Sequence, residues 1–504
     1  TDPSDNFRVT QFFDPSAGTI FSPAAAAFHA PGGSLNGSSS PLTIASRWLY
    51  TFVSSNNYSQ WAYAGTVNGI APGLGFTMKG TDNFNQQYDF RGRPNNGTIN
   101  VNIAAEQFTL VGNPYPSAID LAQVLLDSDN NDVLAEAHFW EQDASVSSHN
   151  IRAYRGGYGV WVPGTTNPAD PGTYNPPPYN NYDGNGNQIG SGAGTLPNVS
   201  GRRYTPIGQG FMVLGNTGIP VGSQFTFKNI HRVYETENTT FSQFNKANQL
   251  GKEANNATAQ RKVMFNNGWE TTVITEPLKI PTIRINAIIN ETFARPLTLA
   301  LRDGASANFE RGMDGSRASD FMDDGYFVIE GKKYTIQSTN FDLEQKIPFG
   351  FLSNGNTSFT LTVGKTEHLD EGFSVFLFDA VENTYTNILN SKFNITLPKG
   401  EYNKRFFIAF KEDNTLSTTE LPITDFGIFQ NNQAKQLVIN NPKKHSITLI
   451  SLYDVTGKLL IGQNSLNNNS RIQIETGNLA TGVYLVKLET GTKQTITQKI
   501  IVKN

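Results

Sequence analysis

The side chains best suited to chemistry sit in one Gly-punctuated stretch, where Asp303, Glu310, Asp314, Asp320, Asp323 and Asp324 follow closely on one another. Carboxylates are hard oxygen ligands, and a loop that gathers several suits calcium, which takes six to eight oxygens. A second reading is a solvated turn whose aspartates bond their own backbone. Arg302, Arg311 and Arg317 lie in the same stretch and offer those carboxylates a counter-charge without a metal. Calcium is the one cofactor the sequence raises; no other is expected.

Other constellations are weaker. Asp127-Ser128-Asp129-Asn130-Asn131-Asp132 begins like an EF-hand loop, but Asp132 stands at the glycine position and His138 at the terminal glutamate position. A cap-and-turn role fits it better. The six histidines are scattered, and neither a Gly-x-Ser-x-Gly elbow nor a phosphate-cradling Gly-x-x-x-x-Gly-Lys occurs. A glycosidase needs only two carboxylates about 5–10 Å apart, yet nothing selects a pair, so the chain is not expected to be an enzyme. The absence of cysteine excludes disulfides, thiolate nucleophiles and Cys-based zinc sites. Tyr154, Tyr158, Tyr174, Tyr179 and Tyr182 lie beside Asn and Gly and could stack on sugars; the alternative is packing beneath long loops.

The elements that must position these groups are strands. Charged residues make up only 16% of the 504, against 34 Phe and 46 Gly, which favours β-sandwiches over helical bundles. A net charge of −4 gives no footprint for nucleic acid. No apolar run reaches the roughly 20 residues of a membrane-spanning helix.

Along the chain, residues 1–245 form a Gly/Asn/aromatic-rich β module, with strand-like runs at Arg47–Val53, Phe108–Val111, Gly159–Val162 and Gly210–Leu214. Ser117 is placed to cap a helix through Leu126, whose Leu121, Val124, Leu125 spacing is helical. Residues 170–196 hold few core-forming side chains and predict a loop, either a binding excursion or a plain insertion. Residues 246–280 follow as a polar linker or strap. Residues 281–415 carry about eight strand signals, which suits a jelly-roll-like sandwich.

Residues 421–504 are a run of short strands with no helical period. Ser446–Tyr453 is β-branched and apolar, and Gly457 offers the positive φ of a hairpin corner. Arg471-Ile472-Gln473-Ile474-Glu475 alternates strictly. The fold class is therefore mainly β: tandem β-sandwich or jelly-roll-like modules ending in a small immunoglobulin-like β-sandwich.

Tyr453-Asp454-Val455-Thr456-Gly457-Lys458, Asn478-Leu479-Ala480-Thr481-Gly482-Val483-Tyr484-Leu485-Val486 and Lys499-Ile500-Ile501-Val502-Lys503 fall in that order up to the end of the chain. Together they closely resemble the type A C-terminal sorting domain of the Bacteroidota type IX secretion system. The resemblance implies a secretion address, with the translocon, an outer-membrane shuttle barrel and a cell-surface sortase as partners, and delivery to the cell surface or the exterior. It points to Tyr453, Gly457, Gly482, Tyr484, Lys499, Lys503 and the Asn504 carboxylate as the recognised residues, with the two glycines shaping turns. Ordinary edge-strand protection is the competing role for the lysines. Gly112-Asn113-Pro114-Tyr115-Pro116-Ser117, Phe139-Trp140 and Pro206–Phe211 resemble a recurring module of Flavobacteria-like surface proteins. A type IX cargo is made with a signal peptide, so the chain is expected to be part of a longer polypeptide. The reading is a non-catalytic, adhesin-like or structural cargo that contacts surface polysaccharide; the alternative is the non-catalytic or carbohydrate-binding tail of a secreted hydrolase.

Overall fold

β-Branched and aromatic runs bounded by Gly, Pro and Asn pack as pleated surfaces better than as helices, and strands dominate accordingly. The computed structural model describes residues 12–19, 23–30, 32–66, 68–81, 86–143, 146, 148–153, 155–182, 188–192, 201–235, 242, 260–264, 270–274, 277–370, 372–412, 426–491 and 495–503. The chain divides into two compact units, Thr1–Glu412 and Asp413–Asn504.

In the first unit the strands that matter most are β1 (Ile99–Asn102), β2 (Phe108–Gly112), β3 (Ala137–Gln142), β4 (Gly156–Val162), β5 (Thr173–Asn175), β6 (Gly210–Leu214) and β7 (Gln224–Phe227). They are followed by β8 (Thr282–Ile289), β9 (Phe293–Leu301), β10 (Gly315–Ser316), β11 (Asp324–Ile329), β12 (Lys332–Thr339), β13 (Lys346–Ser353), β14 (Thr357–Glu367), β15 (Phe376–Asp379) and β16 (Phe406–Ala409). A seven-stranded sheet runs β2-β6-β3-β4 and continues through Tyr179–Tyr182 and Gln188–Gly192, with β5 also on β4. The stretch expected as a loop over 170–196 thus supplies three short strands at one edge of this sheet. The stretch expected as a linker holds a hairpin, Gln260–Met264 paired with Glu270–Ile274.

The helix is shorter than its spacing suggests. Ala118–Asp120 is drawn into strand pairing with Tyr204–Thr205, so the helix spans only Leu121–Leu125. Its cap is Asp120, whose Oδ1 accepts from Ala122 N at 3.1 Å. Ser117 lies too early to cap it.

A twelve-stranded sheet dominates the later part of the unit, with β15-β16-β13-β11-β12-β9-β8-β14 as its central path, and smaller two- and three-stranded sheets, β1 with β7 among them, complete it. Ile283, Leu299, Phe327, Phe349, Phe359, Leu377 and Phe406 come from strands spread along that path, yet all lie in one buried cluster. The sheet therefore curls over a single Phe-rich core, as a sandwich or barrel does. All but one of the pairings along this path are antiparallel; β9 and β12 run parallel, Thr298 opposite Ile336 through Leu301 opposite Thr339.

The two large sheets meet along a seam. Val160 and Val162 of β4 pack on Ile336 of β12, and the surrounding contacts are polar. Arg302 donates to both oxygens of Asp170, at 2.8 and 3.1 Å, and to Thr173 Oγ1 at 3.0 Å. Asp170 also accepts from Thr165 N, Thr165 Oγ1 and Gly172 N. Arg203, wholly buried, binds Asp120 at 3.0 Å and the carbonyls of Thr165, Thr166, Asn167 and Asp170. Glu136 accepts from Ser316 N at 2.7 Å, and Asn175 from Thr298 Oγ1 at 2.8 Å.

Removing one partner of a buried, bidentate ion pair leaves the other charge unsolvated, a loss of about 3–5 kcal/mol, whereas replacing both by apolar groups is far cheaper. Asp170→Ala is therefore expected to lower the urea midpoint by that much stability, and the double variant Asp170→Leu/Arg302→Met by distinctly less. Equal losses in equilibrium unfolding would refute the assignment.

A second expectation concerns acid. Lys228 Nζ and the His231 ring both bind Asp127, at 2.8 Å each. Partial burial pushes the Asp127 carboxyl up, but hydrogen bonds from Lys228, Asp129 N and His231 outweigh it and hold its pKa at about 2. Burial likewise depresses the His231 ring, against the pull of Asp127. A depressed pKa contributes stability that is complete above the unfolded value and fades on acidification. Stability should thus fall below about pH 6.5 through His231 and further between about pH 4 and 2 through Asp127. Asp127→Asn should flatten the lower part of that profile in denaturation curves taken from pH 7 to 2; an unchanged slope would count against the pairing.

Candidate functional site

The second unit contains the terminal motifs. Its strands are β17 (Gly427–Asn431), β18 (Gln436–Asn440), β19 (Ile447–Asp454), β20 (Leu459–Asn467), β21 (Arg471–Glu475), β22 (Gly482–Thr490) and β23 (Thr495–Val502). A three-stranded sheet, β17-β18-β21, and a four-stranded sheet, β20-β19-β22-β23, enclose one core. Alternation explains the two faces. Ile450, Leu452, Tyr484, Val486, Leu488, Ile496, Ile500 and Val502 point inward, and the residues between them point out.

The corner joining β19 to β20 is built on Asp454. Its Oδ1 accepts from Thr456 N at 2.9 Å, Thr456 Oγ1 at 2.6 Å and Lys458 N at 3.0 Å. Gly457 N donates to Asp454 O at 3.0 Å, and Gly457 holds φ 85°, a conformation that glycine adopts without steric cost. The hydrogen bond from Thr456 and its neighbours keeps the Asp454 carboxyl below its ordinary range. Gly482 behaves differently from the expected turn residue: it opens β22, opposite Val502. The turn before it is fastened by Tyr484, whose hydroxyl donates to Ala480 O at 2.7 Å.

Register brings some of the expected recognition residues together. Leu459, Tyr453, Leu485 and Lys499 lie opposite one another across the four strands, so they share one outward row. Tyr453, Asp454, Val455, Gly457, Leu485, Lys487 and Thr497 line a shallow depression on this face. Tyr484 lies on the opposite face, in the core. Lys503 follows β23 and donates its backbone N–H to Asn432 Oδ1 at 2.9 Å; Asn504 lies outside the described residues. Sequence reasoning missed the apolar part of the face: Val455, Leu459, Leu485 and Ile501 are all exposed. The signal was present in Val483 and Leu485, outward positions of β22 where a one-sided strand should carry polar residues.

The acidic stretch disperses its carboxylates. Asp324 is fully buried, gripped by Arg295 at 2.8 and 2.9 Å and by Arg317 at 2.8 Å. Asp320 pairs with Arg317 on the surface. Asp323 accepts from Asn354 N and Thr357 Oγ1 at 2.8 and 2.6 Å. Asp314 accepts from Ser338 N and Glu310 N, each at 2.8 Å, and burial pushes its pKa up to about 7. Glu310 turns back to Ser306 N, and Asp303 is exposed. Among the described residues no three of His, Asp or Glu gather as a metal set. Two of the three nearby arginines reach away altogether: Arg302 to Asp170, and Arg311 to the carbonyls of Leu125 and Asn130.

The EF-hand-like stretch is a cap and turn, with Asp127 Oδ1 accepting from Asp129 N at 3.0 Å and Asn130 buried against Val124 and Thr226. Tyr174, weighed as a sugar platform, is a core residue whose hydroxyl donates to Glu141, which Arg202 also binds at 2.9 Å. Tyr158 is half-buried against Trp140, ring centroids 5.1 Å apart. Tyr154 and the side chains of Tyr179 and Tyr182 lie outside the described residues.

Two family models match the chain. Residues 428–503 match the secretion system C-terminal sorting domain, and residues 31–410, three quarters of the chain, match a domain of unknown function (DUF8693). No curated protein matches. A solved chain described as "Biofilm associated protein - BSP domain" is similar at 12% identity and a TM-score of 0.14, over 76% of this chain and 69% of that one. The sorting domain makes the protein a substrate of the type IX secretion system, with the Bacteroidota origin that the family implies, exported to the cell surface or beyond it. The chain thus belongs to the DUF8693 family, borne on a type IX sorting domain.

Proposed function

We propose that the first unit is a non-catalytic, adhesin-like module that the terminal sandwich delivers to the cell surface. The terminal match to a sorting domain carries the delivery half of this reading. The body half is supported by where the first unit places its ionisable groups. Asp120, Glu136, Glu141, Asp170, Arg202, Arg203, Arg295, Arg302 and Asp324 are buried and engaged with one another or with backbone groups. Groups tied in this way hold sheets together; they are not poised for proton transfer to a ligand.

The outward row of the four-stranded terminal sheet is the surface we assign to the outer-membrane shuttle barrel. It offers apolar contact from Tyr453, Leu459 and Leu485 beside the Lys499 cation, on a sheet with β20 and β23 at its two edges.

Two measurements test the delivery reading. A fluorescent passenger fused ahead of residue 421 should reach the surface of a type IX-competent host, and deletion of the last ten residues should leave it in the periplasm. Surface display by the deleted form would refute the assignment. Gly457→Ala places a Cβ in left-handed backbone and should destabilise the sandwich by about 1–2 kcal/mol. For a unit of this size that is a fall in Tm of about 4–16 °C. The adhesin-like reading is checked by coating beads with the secreted chain; failure to retain them on any polysaccharide- or protein-coated surface would refute it.

A further inference from the structure

Between Arg47 and Lys79 the chain contains no acidic, basic or histidine side chain, yet it has two Trp, three Tyr and several Asn and Gln. The fold brings part of this segment to the surface on a rigid mount. Tyr50–Thr51 pairs with Ala62–Tyr63, Tyr50 opposite Tyr63, and the two rings meet edge to face with centroids 5.3 Å apart. Beneath them Phe52 is buried with Leu110 and Met212, and Trp61 packs on that cluster, 4.8 Å from the Phe52 ring. The connecting loop is pinned by Gln60, whose Oε1 accepts from Asn56 N at 2.9 Å and Asn57 N at 2.8 Å.

Tyr58 is 56% and Tyr63 41% exposed. Tyr63 rests on Gly65, which holds φ 56°, and a Cβ there would come within 2.8 Å of the ring. Asn57, next to Tyr58 in the chain, and Asn68, whose Nδ2 donates to Tyr63 O at 3.3 Å, are both exposed. Exposed rings on a rigid mount offer an amphipathic contact surface at little entropic cost. A ring face accepts the C–H side of a pyranose, while amides both donate to and accept from hydroxyls. A charged polymer would call for opposite charge, and this segment has none.

We propose that Tyr58 and Tyr63, with Asn57 and Asn68, form a binding face for a neutral polysaccharide. The inference deepens the adhesin-like reading of the body and rests on it. Affinity electrophoresis of the full chain in native gels containing laminarin, dextran or alginate tests it. Laminarin or dextran should retard the protein, and alginate should not. Tyr58→Ala should weaken retardation with an unchanged melting curve, Tyr58→Ala/Tyr63→Ala should weaken it at least tenfold in a chain that still melts cooperatively, and Asn68→Ala, which keeps both rings, should weaken it less. No retardation by either neutral polymer, equal retardation of the double variant, or stronger retardation by alginate would overturn the proposal. A chain that retains beads in the adhesion assay but is not retarded in the gels overturns this inference alone.

Discussion

The fork of Arg302 on Asp170 is the contact on which the first unit depends. One guanidinium reaches from the end of β9 into the loop before β5 and meets a carboxylate that is already holding that loop in shape. Arg203 holds the same loop from its other side through four carbonyls. Neither arginine reaches solvent, so each charge is tolerable only because its acceptors are fixed in advance. Packing of Val160 and Val162 on Ile336 gives the seam its apolar centre, but apolar contact is permissive about register. The ion pairs specify which strand faces which.

The terminal sandwich is held by other means. Its core is uniformly aliphatic, apart from Phe426 and Tyr484, and its corner is set by one aspartate and one glycine. Its turns are fixed by short-range polar contacts, as at Asp454 and at Tyr484 with Ala480, and its longer-range polar contacts join neutral amides and hydroxyls such as Gln430 with Thr476. Such a unit draws on local order and ordinary burial, which suits a domain recognised as an autonomous address. The body instead distributes its charged anchors between residues far apart in sequence.

That contrast explains what the sequence made legible. In the last unit the signals are local: strict alternation at Ile472 and Ile474, and a turn signature ending in Gly457. The presence of the strands, the shared face of Ile472 and Ile474, and the family could be read from it; the order of the strands in the two sheets could not. In the body, strand existence was legible but partnership was not. The aspartates of the 303–324 stretch look like one cluster when read linearly, because sequence gives no view of Arg295 or of the backbone amides that separate them. Ser117 looked like a cap because helical spacing cannot reveal that Ala118–Asp120 is claimed by strand pairing, a tertiary preference that overrides local propensity. Tyr174 looked exposed because its neighbours are loop formers, although its partner Glu141 lies a strand away.

The reach of the seam contacts bears on how the body comes together. Glu136 has His138 beside it and Asp170 has Thr165 and Gly172, but their contacts across the seam come from Ser316 and Arg302, 180 and 132 residues further along the chain. Contacts that distant in sequence carry a loop-closure cost that local ones do not. The seam is therefore complete only when both halves of the unit are present, which ties the two large sheets into one stability unit rather than two.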